Sequence, residues 1–537
     1  MLKKLSFRAS YFLILLIVFH LIGNIIWIKL NNIPPAWDEA VHTKFSLEFL
    51  HFFQDIFSGR FDFKDFIQPL SKYYGPLVRL FTGLILFIFG PTIKLAQFTG
   101  TIFFLLTLLI IYFLGKEIFK NDWIGLIAAF IFSFYQVIYD NSRWLLLDIP
   151  LTFFVLTTIY FLIKSNSFED KKYTLIAFVC LSLTILTKFQ GIIYLTIPFG
   201  YFVILAVRKN KLNYIKNLVL GILISILFVL PWLIFSFKNL ISYYTVAVKP
   251  EPFVDPTNLV DPTTWLHYLK LFIDYEMTFF VFLVFLLSLY FYLKVKSNFK
   301  FFILMNIVFY YMWFTVFPNK DMRFLFPILP FTALIFAKGF FEFYQKKQIL
   351  ANFILLSTVA FNVIMYLSLS FETPFPKGLR KQIDLPYIKD IVYLNLTDYP
   401  VRKFDSRYWP NEEIINDLYK ESKGESLEIV FIPNFDNFND NNFWMYLTSY
   451  QYKNINIVRA EGKIRFNSSE ELNHYLSRFN YFLYTPETVG VFYQIDKKAF
   501  EQIQEQVKFL LELGKAKTIK KYLLPTGESI FLVKRIS

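Results

Sequence analysis

Apolar runs of about 18 residues or more, long enough to cross a bilayer, follow one another through residues 1–370 of this chain and then stop. Inside a bilayer the backbone finds no water to bond, so runs of this length must be helical. At 537 residues, with 55% hydrophobic and 21% aromatic content, the chain is too apolar for an ordinary soluble protein. The remaining stretch, 371–537, is roughly 165 residues and falls within the usual size of one domain. The expected fold is a polytopic α-helical membrane domain over 1–370, followed by a soluble α/β domain over 371–537.

A formal charge of +14 would suit a nucleic-acid partner, but its distribution excludes that class. Lys and Arg sit mostly in short loops between apolar spans, as the positive-inside rule requires. The single cysteine, Cys180, lies within an apolar run and offers neither a disulfide framework nor a Cys metal site. The first run, Tyr11 to about Leu30, follows Lys3, Lys4 and Arg8; it is longer than a signal-peptide core and no small-residue cleavage site follows. It reads as an uncleaved first helix with a cytoplasmic N-terminus.

Charge also counts the spans. Candidates are 11–30, 94–115, 122–140, 148–164, 173–188, 189–207, 214–236, 271–293, 301–317, 324–343 and 349–370. If the apolar stretch 76–90 lies in the interface, the loops bearing Lys116 and Lys120, Lys164 to Lys172, Arg208 to Lys216, Lys294 to Lys300, and Lys346 with Lys347 share one side. If it crosses, they all flip away from the basic N-terminus. The positive-inside rule therefore selects about eleven transmembrane helices. The Asp38 loop, the Arg143–Asp148 loop, Lys188, the 237–270 loop, Pro318–Arg323 and the C-terminal domain then face outward, in a multi-pass protein of the cell membrane.

On that outer side the chain reads Pro34-Pro35-Ala36-Trp37-Asp38-Glu39-Ala40-Val41-His42. Acids at a membrane rim are costly and point to function, although a helix N-terminus favours acids for capping and dipole reasons too. Asp148 opens another apolar span five residues after Arg143; it could cap that helix or pair with the arginine. Lys72, Lys188 and Arg323 are cations at the same rim. Each alone could be a snorkelling anchor, but together they supply phosphate-seeking groups around a membrane-level cavity. Residues 31–93 form a long external loop. In it Phe45, Phe49, Phe52, Phe53 and Phe57 share a helix face, suited either to lying on a membrane or to packing on a neighbour.

The order Trp37-Asp38-Glu39-Ala40 with His42, then Lys72 to Pro76, Arg143 with Asp148-Ile149-Pro150-Leu151, Thr187-Lys188, and Arg323-Phe324-Leu325-Phe326-Pro327 resembles the GT-C membrane glycosyltransferases. The similarity is to their protein O-mannosyltransferase and lipid A aminoarabinose transferase branch, over roughly residues 1–370. Where family members often carry Lys or His before Pro-Pro-Leu, this chain has Lys72-Tyr73-Tyr74-Gly75-Pro76-Leu77.

The resemblance implies an enzyme that moves a hexosyl or pentosyl group from a polyprenyl-phosphate donor to an extracytoplasmic protein, lipid or polysaccharide, with inversion. It implies Asp38 as the base, with Glu39 and Asp148 orienting the acceptor or stabilising charge. Lys72, Arg143, Lys188 and Arg323 would meet the donor phosphate, and Trp37, His42 and Tyr74 would line the pocket. No Gly-rich phosphate loop points to a nucleotide. Paired carboxylates suit a hard divalent cation at Asp38 and Asp148, whereas the mannosyltransferase branch is regarded as metal-independent. The rival from another class is a transporter or flippase of lipid-linked glycans, but no internal repeat of the transporter kind is evident.

Beyond 370, apolar runs at Glu428–Pro433, Ile455–Val458, Tyr481–Tyr484 and Ser529–Val533 read as strands, and Asp496–Leu513 as a helix. Pro374, Pro376 and Gly378 mark a linker.

Overall fold

The structure, a computed structural model, describes residues 2–60, 62–209, 212–249, 256–385, 388–397, 401–459, 466, 468–490 and 497–536. Lys211 of the basic loops and Asp496 of the expected C-terminal helix lie outside the described residues. The chain divides into two compact units, each built from separated stretches. The first is Met1–Ile28, Asp62–Phe81 and Gln97–Lys403; the second is Lys29–Phe61, Thr82–Ala96 and Phe404–Ser537.

The first unit is helical. Among the described residues, five helices have the length and apolarity to cross a membrane: Ala9–Leu30, Ile93–Phe119, Phe189–Lys209, Asn213–Thr245 and Gln348–Phe371. The pair Pro262–Met277 and Phe279–Tyr292, bent by 110°, makes a sixth if it is one span. The other expected spans are present as helices of 12 to 18 residues, so about eleven crossings is more than this criterion counts. The stretch 122–140 is broken into Asp122–Ser133 and Gln136–Asn141. Helix starts follow local chemistry: the Asn121 side chain accepts from Trp123 N at 2.9 Å, and that of Asp170 from Tyr173 N at 3.0 Å.

Helix Leu329–Lys346 packs on Phe279–Tyr292 and on Asp122–Ser133, while Lys171–Thr187 packs on Asp148–Lys164 and on Leu212–Ala247. Gly339 permits the first of these contacts, because a Cβ there would run into the Ser288 carbonyl oxygen of the facing helix. Small residues allow close approach where lipid supplies no hydrophobic drive. The same unit contains an antiparallel hairpin, β1 (Arg380–Leu385) and β2 (Ile388–Asn395), just after the stretch expected to be a linker. Lys270 Nζ donates to Lys389 O at 2.9 Å and Val392 N to Asp274 Oδ1 at 2.9 Å, which holds the hairpin to the helix before the bend.

The second unit is α/β. Its sheet runs β4-β3-β5-β7-β6, with β3 (Leu427–Phe431), β4 (Ile455–Arg459), β5 (Tyr481–Tyr484), β6 (Ala516–Leu523) and β7 (Ser529–Arg535). Strand β3 is parallel to β4 and β5, and β7 is antiparallel to β5 and β6. Val430, Phe482, Phe500, Ile503 and Val507 belong to its core, and the expected C-terminal helix is Lys497–Glu512. Helix Trp37–Phe57 belongs to this unit and packs against helix Asp440–Tyr450. Phe45, Phe49 and Phe52 are buried there, so packing describes that part of the phenylalanine stripe, and Phe57 at its end is 75% exposed.

Candidate active site

In the helical unit, three chain breaks gather charge. Asp148 is the first residue of helix Asp148–Lys164. Lys188 follows helix Lys171–Thr187 in an extended conformation, φ −153° and ψ 122°, before a 3-10 turn starts at Phe189. Arg323 lies in another short turn, Met322–Leu325, capped by the Asp321 side chain. These breaks bring Lys188 Nζ to 2.8 Å from Asp148 Oδ1 and Arg323 Nη1 to 3.9 Å from Asp148 Oδ2. Capping and snorkelling therefore do not exhaust the roles of these residues. Their charges meet one another across 40 and 175 residues of sequence respectively, as 188 − 148 and 323 − 148 give.

Asp321 grips the guanidinium further, with Oδ2 accepting from Arg323 Nε at 2.9 Å and from Nη2 at 2.7 Å. Burial raises the Asp321 carboxyl's pKa, but the Arg323 guanidinium and the Lys188 ammonium outweigh it and hold it below the ordinary aspartate value. Tyr194 OH donates to Phe324 O at 2.9 Å and ties the two turns together. Asp321 and Tyr194 were not singled out by sequence reasoning; an acid two residues before Arg323 was the available signal.

The Lys72 segment reaches the same place through a glycine. A Cβ on Gly75 would run into the Leu186 carbonyl, so only glycine lets Tyr73-Tyr74-Gly75 lie against the strand of chain leading to Lys188. Tyr74 OH meets Tyr243 OH at 2.9 Å, Tyr73 stacks on Tyr243 at 4.4 Å, and Lys72 is half-buried. Arg79, fully buried, fixes this turn by donating to the Tyr74 carbonyl and, from Nη2, to Gly75 O at 2.9 Å. Arg79 also went unnoticed in the sequence, although a charge inside the apolar stretch 76–90 is a signal in itself.

Arg143 does not join this cluster. Its guanidinium is fully buried, donating from Nε to Asn24 Oδ1 at 3.1 Å and from Nη2 to Ser370 Oγ at 2.8 Å. The rings of Trp27, Tyr139, Tyr366 and Phe371 lie within 5.2 to 6.0 Å of it. From inside this aromatic cage Arg143 bonds helices Ala9–Leu30 and Gln348–Phe371 to its own turn, so the fold does not bring it to the other cations expected at the donor phosphate.

The Asp38 motif is described within its own unit. Helix Trp37–Phe57 begins after Ala36, with no side-chain cap; Asp38 and Glu39 lie in its first turn. Asp38 is half-buried, while Glu39 and His42 are each only 2% exposed. The chain leading into the helix is laced to the 436–442 loop. Trp37 Nε1 donates to Asp436 Oδ1 at 3.2 Å, Asn437 Nδ2 to Pro34 O at 2.8 Å, and Asn442 to the Pro35 carbonyl. Trp37 is thus engaged with the α/β unit's own loop.

Among the described residues, no group of three or more His, Cys, Asp or Glu side chains gathers to hold a metal. The donor set around Asp148 is cationic, and a divalent ion does not fit beside Lys188 and Arg323.

Residues 64–246 match the family model for dolichyl-phosphate-mannose-protein mannosyltransferase. The whole chain is similar in fold to ArnT from Cupriavidus metallidurans bound to undecaprenyl phosphate, at TM-score 0.58 and 10% identity, covering 97% of this chain and 98% of that one. The apo state of the same protein matches at TM-score 0.56 and 11% identity, covering 98% of each chain. The arabinofuranosyltransferase AftD from Mycobacteria matches at 0.53 and 9% identity, over 97% of this chain and 40% of its own. A search of curated protein sequences gave no match. The chain has the fold of the GT-C glycosyltransferases.

Proposed function

We propose that this chain of GT-C fold is a polyprenyl-phosphate-dependent glycosyltransferase, with its N-terminus in the cytoplasm and its chemistry on the extracytoplasmic side. The observation that carries the reading is the Asp148–Lys188–Arg323 cluster at the ends of apolar helices. A lipid-linked sugar needs cations where its phosphate sits and hydrocarbon where its tail runs. Lys188 and Arg323 supply the first: when the glycosidic bond breaks, the departing phosphate gains negative charge, and fixed cations stabilise it most at that moment.

Asp38 takes the proton of the acceptor hydroxyl as that oxygen attacks the anomeric carbon, and the carrier phosphate leaves from the opposite face, inverting the centre. Glu39 and Asp148 orient the acceptor or balance charge, with Lys72, His42 and Tyr74 contributing to the donor and acceptor pockets. The acceptor is a protein, lipid or polysaccharide. No observation favours a flippase.

The test is transfer of radiolabelled sugar from polyprenyl-phosphate donors in membranes. Asp38→Asn is expected to reduce transfer by about 10²- to 10⁴-fold, the usual worth of a general base, with insertion and folding retained. Undiminished transfer would remove Asp38 as the base, and no transfer from any donor by the wild type would sink the reading.

A further inference from the structure

The helical unit holds an acid that glycosyl transfer leaves unused. The π-helical segment Phe272–Met277 ends at Thr278, whose φ of +69° is unusual for a β-branched residue, and there the chain turns by 110° into helix Phe279–Tyr292. π turns and broken membrane helices recur at binding sites because they free backbone carbonyls. Inside this break lies Glu276, fully buried, with neither carboxylate oxygen hydrogen-bonded. Its neighbour Asp274, by contrast, is ion-paired to Lys270 Nζ at 3.0 Å and accepts from Val392 N at 2.9 Å. Among the described residues, no Lys, Arg or His pairs with Glu276.

The surroundings share one deficiency. Helix Gln136–Asn141 packs on the π segment, and Gln136, 1% exposed, has an unpartnered Oε1. Thr278 Oγ1 is unpartnered as well, while Tyr135 OH, in electrostatic range of Glu276, is already engaged by Thr332 Oγ1 at 3.0 Å. The two Glu276 oxygens, Gln136 Oε1 and Thr278 Oγ1 can all accept, and of these only the Thr278 hydroxyl can also donate. One proton on Glu276 would serve a single acceptor, whereas a small cation is coordinated by several oxygens at once. Hard oxygen donors select alkali and alkaline-earth ions over transition metals, and one carboxylate balances one positive charge.

We infer that Glu276, with Gln136 and Thr278, binds an alkali-metal cation. None of these residues belongs to the donor-phosphate cluster, and the inference is independent of the proposed reaction. Purified full-length protein in detergent would be melted in NaCl and KCl against N-methylglucamine chloride at equal ionic strength, with binding of radioactive sodium measured in parallel. A ligand of the native state raises the melting temperature saturably. The wild type is expected to gain a few degrees in one alkali salt, and Glu276→Gln to show no response to either.

A wild type indifferent to both salts overturns the proposal, as does a variant that keeps the response. A melting temperature that rises only on acidification would identify a plain carboxylic acid instead. If Glu276→Gln does not accumulate, Gln136→Leu keeps the carboxylate and is expected to weaken the cation midpoint at least tenfold; an unchanged midpoint refutes the site.

Discussion

Replacing Lys188 separates its ion pair with Asp148 from the phosphate contact proposed for it. Its ammonium stands 2.8 Å from Asp148, with side chains only 12% and 4% exposed. At an effective dielectric constant of about 20, Coulomb's law gives an attraction of about 6 kcal/mol, and Arg323 at 3.9 Å adds about 4 kcal/mol. Desolvation of both ions offsets much of this, so the pair's net worth is small, but stranding one member costs about 3–5 kcal/mol. Because Arg323 remains near Asp148, Lys188→Met should fall at the low end, about 3 kcal/mol.

The double variant Lys188→Met/Asp148→Asn removes both charges and should regain most of that stability. A lost charge-assisted phosphate contact would not return with it. At about 2 kcal/mol, its absence weakens polyprenyl-phosphate binding roughly 30-fold in both variants. Thermal unfolding and titration with polyprenyl phosphate read the two effects separately. Recovery of binding in the double variant would show that Lys188 serves only as Asp148's counterion, and a single variant of unchanged stability would refute the buried pair.

Gly75→Ala places a methyl against the Leu186 carbonyl and should displace the Lys188 segment, lowering transfer at least tenfold at constant expression, read in the membrane assay. Arg143→Ala empties the aromatic cage and orphans Asn24 and Ser370, so it should cost about 3–5 kcal/mol of stability while polyprenyl-phosphate binding by the folded fraction stays normal. In the α/β unit, Lys520 bonds Glu413 at 2.7 Å and Asp417 at 2.6 Å. The hydrogen bond from Lys520 depresses the Glu413 carboxyl; for Asp417, burial raises it but the Lys520 and Tyr522 hydrogen bonds outweigh that. Depressed carboxyls stabilise the fold above their unfolded values of about 4 and lose that contribution as pH falls through the lower folded values. Melting between neutral and acid pH should therefore be steeper for the wild type than for Lys520→Met.

Much of this was legible because apolar length and loop charge are local signals. The expected spans after the first long loop are mostly helical, interrupted at Phe134-Tyr135 and at the Phe272–Met277 π segment, while 189–207 opens with the 3-10 stretch Phe189–Leu195 and the helix in 324–343 starts only at Leu329. Asp148, Lys188 and Arg323 stood out as charges at span ends, and the fold brings them together. Arg143 misled through proximity: five residues before Asp148 it suggests a pair, yet it belongs to a turn whose side chain enters the bundle between four rings. Strand β6 was missed because Ala516–Leu523 carries Lys517, Lys520 and Lys521, a pattern that suits the edge of the sheet. Hairpin β1–β2 was missed for a related reason, since β1 is exposed throughout and has no apolar alternation to detect.

The lacing of Pro34, Pro35 and Trp37 to the 436–442 loop has a consequence for biosynthesis. The bond between Asn442 and Pro35 spans 407 residues, so the loop carrying Asp38 is synthesised early and meets its packing partner late. At about 5–20 residues per second, ribosomes need roughly 20–80 s to cover that interval. During it helix Trp37–Phe57 lacks the Asp440–Tyr450 helix that later packs on it. The acidic loop completes this lacing only once the chain has emerged past Asn442, which a nascent chain truncated before that residue cannot do.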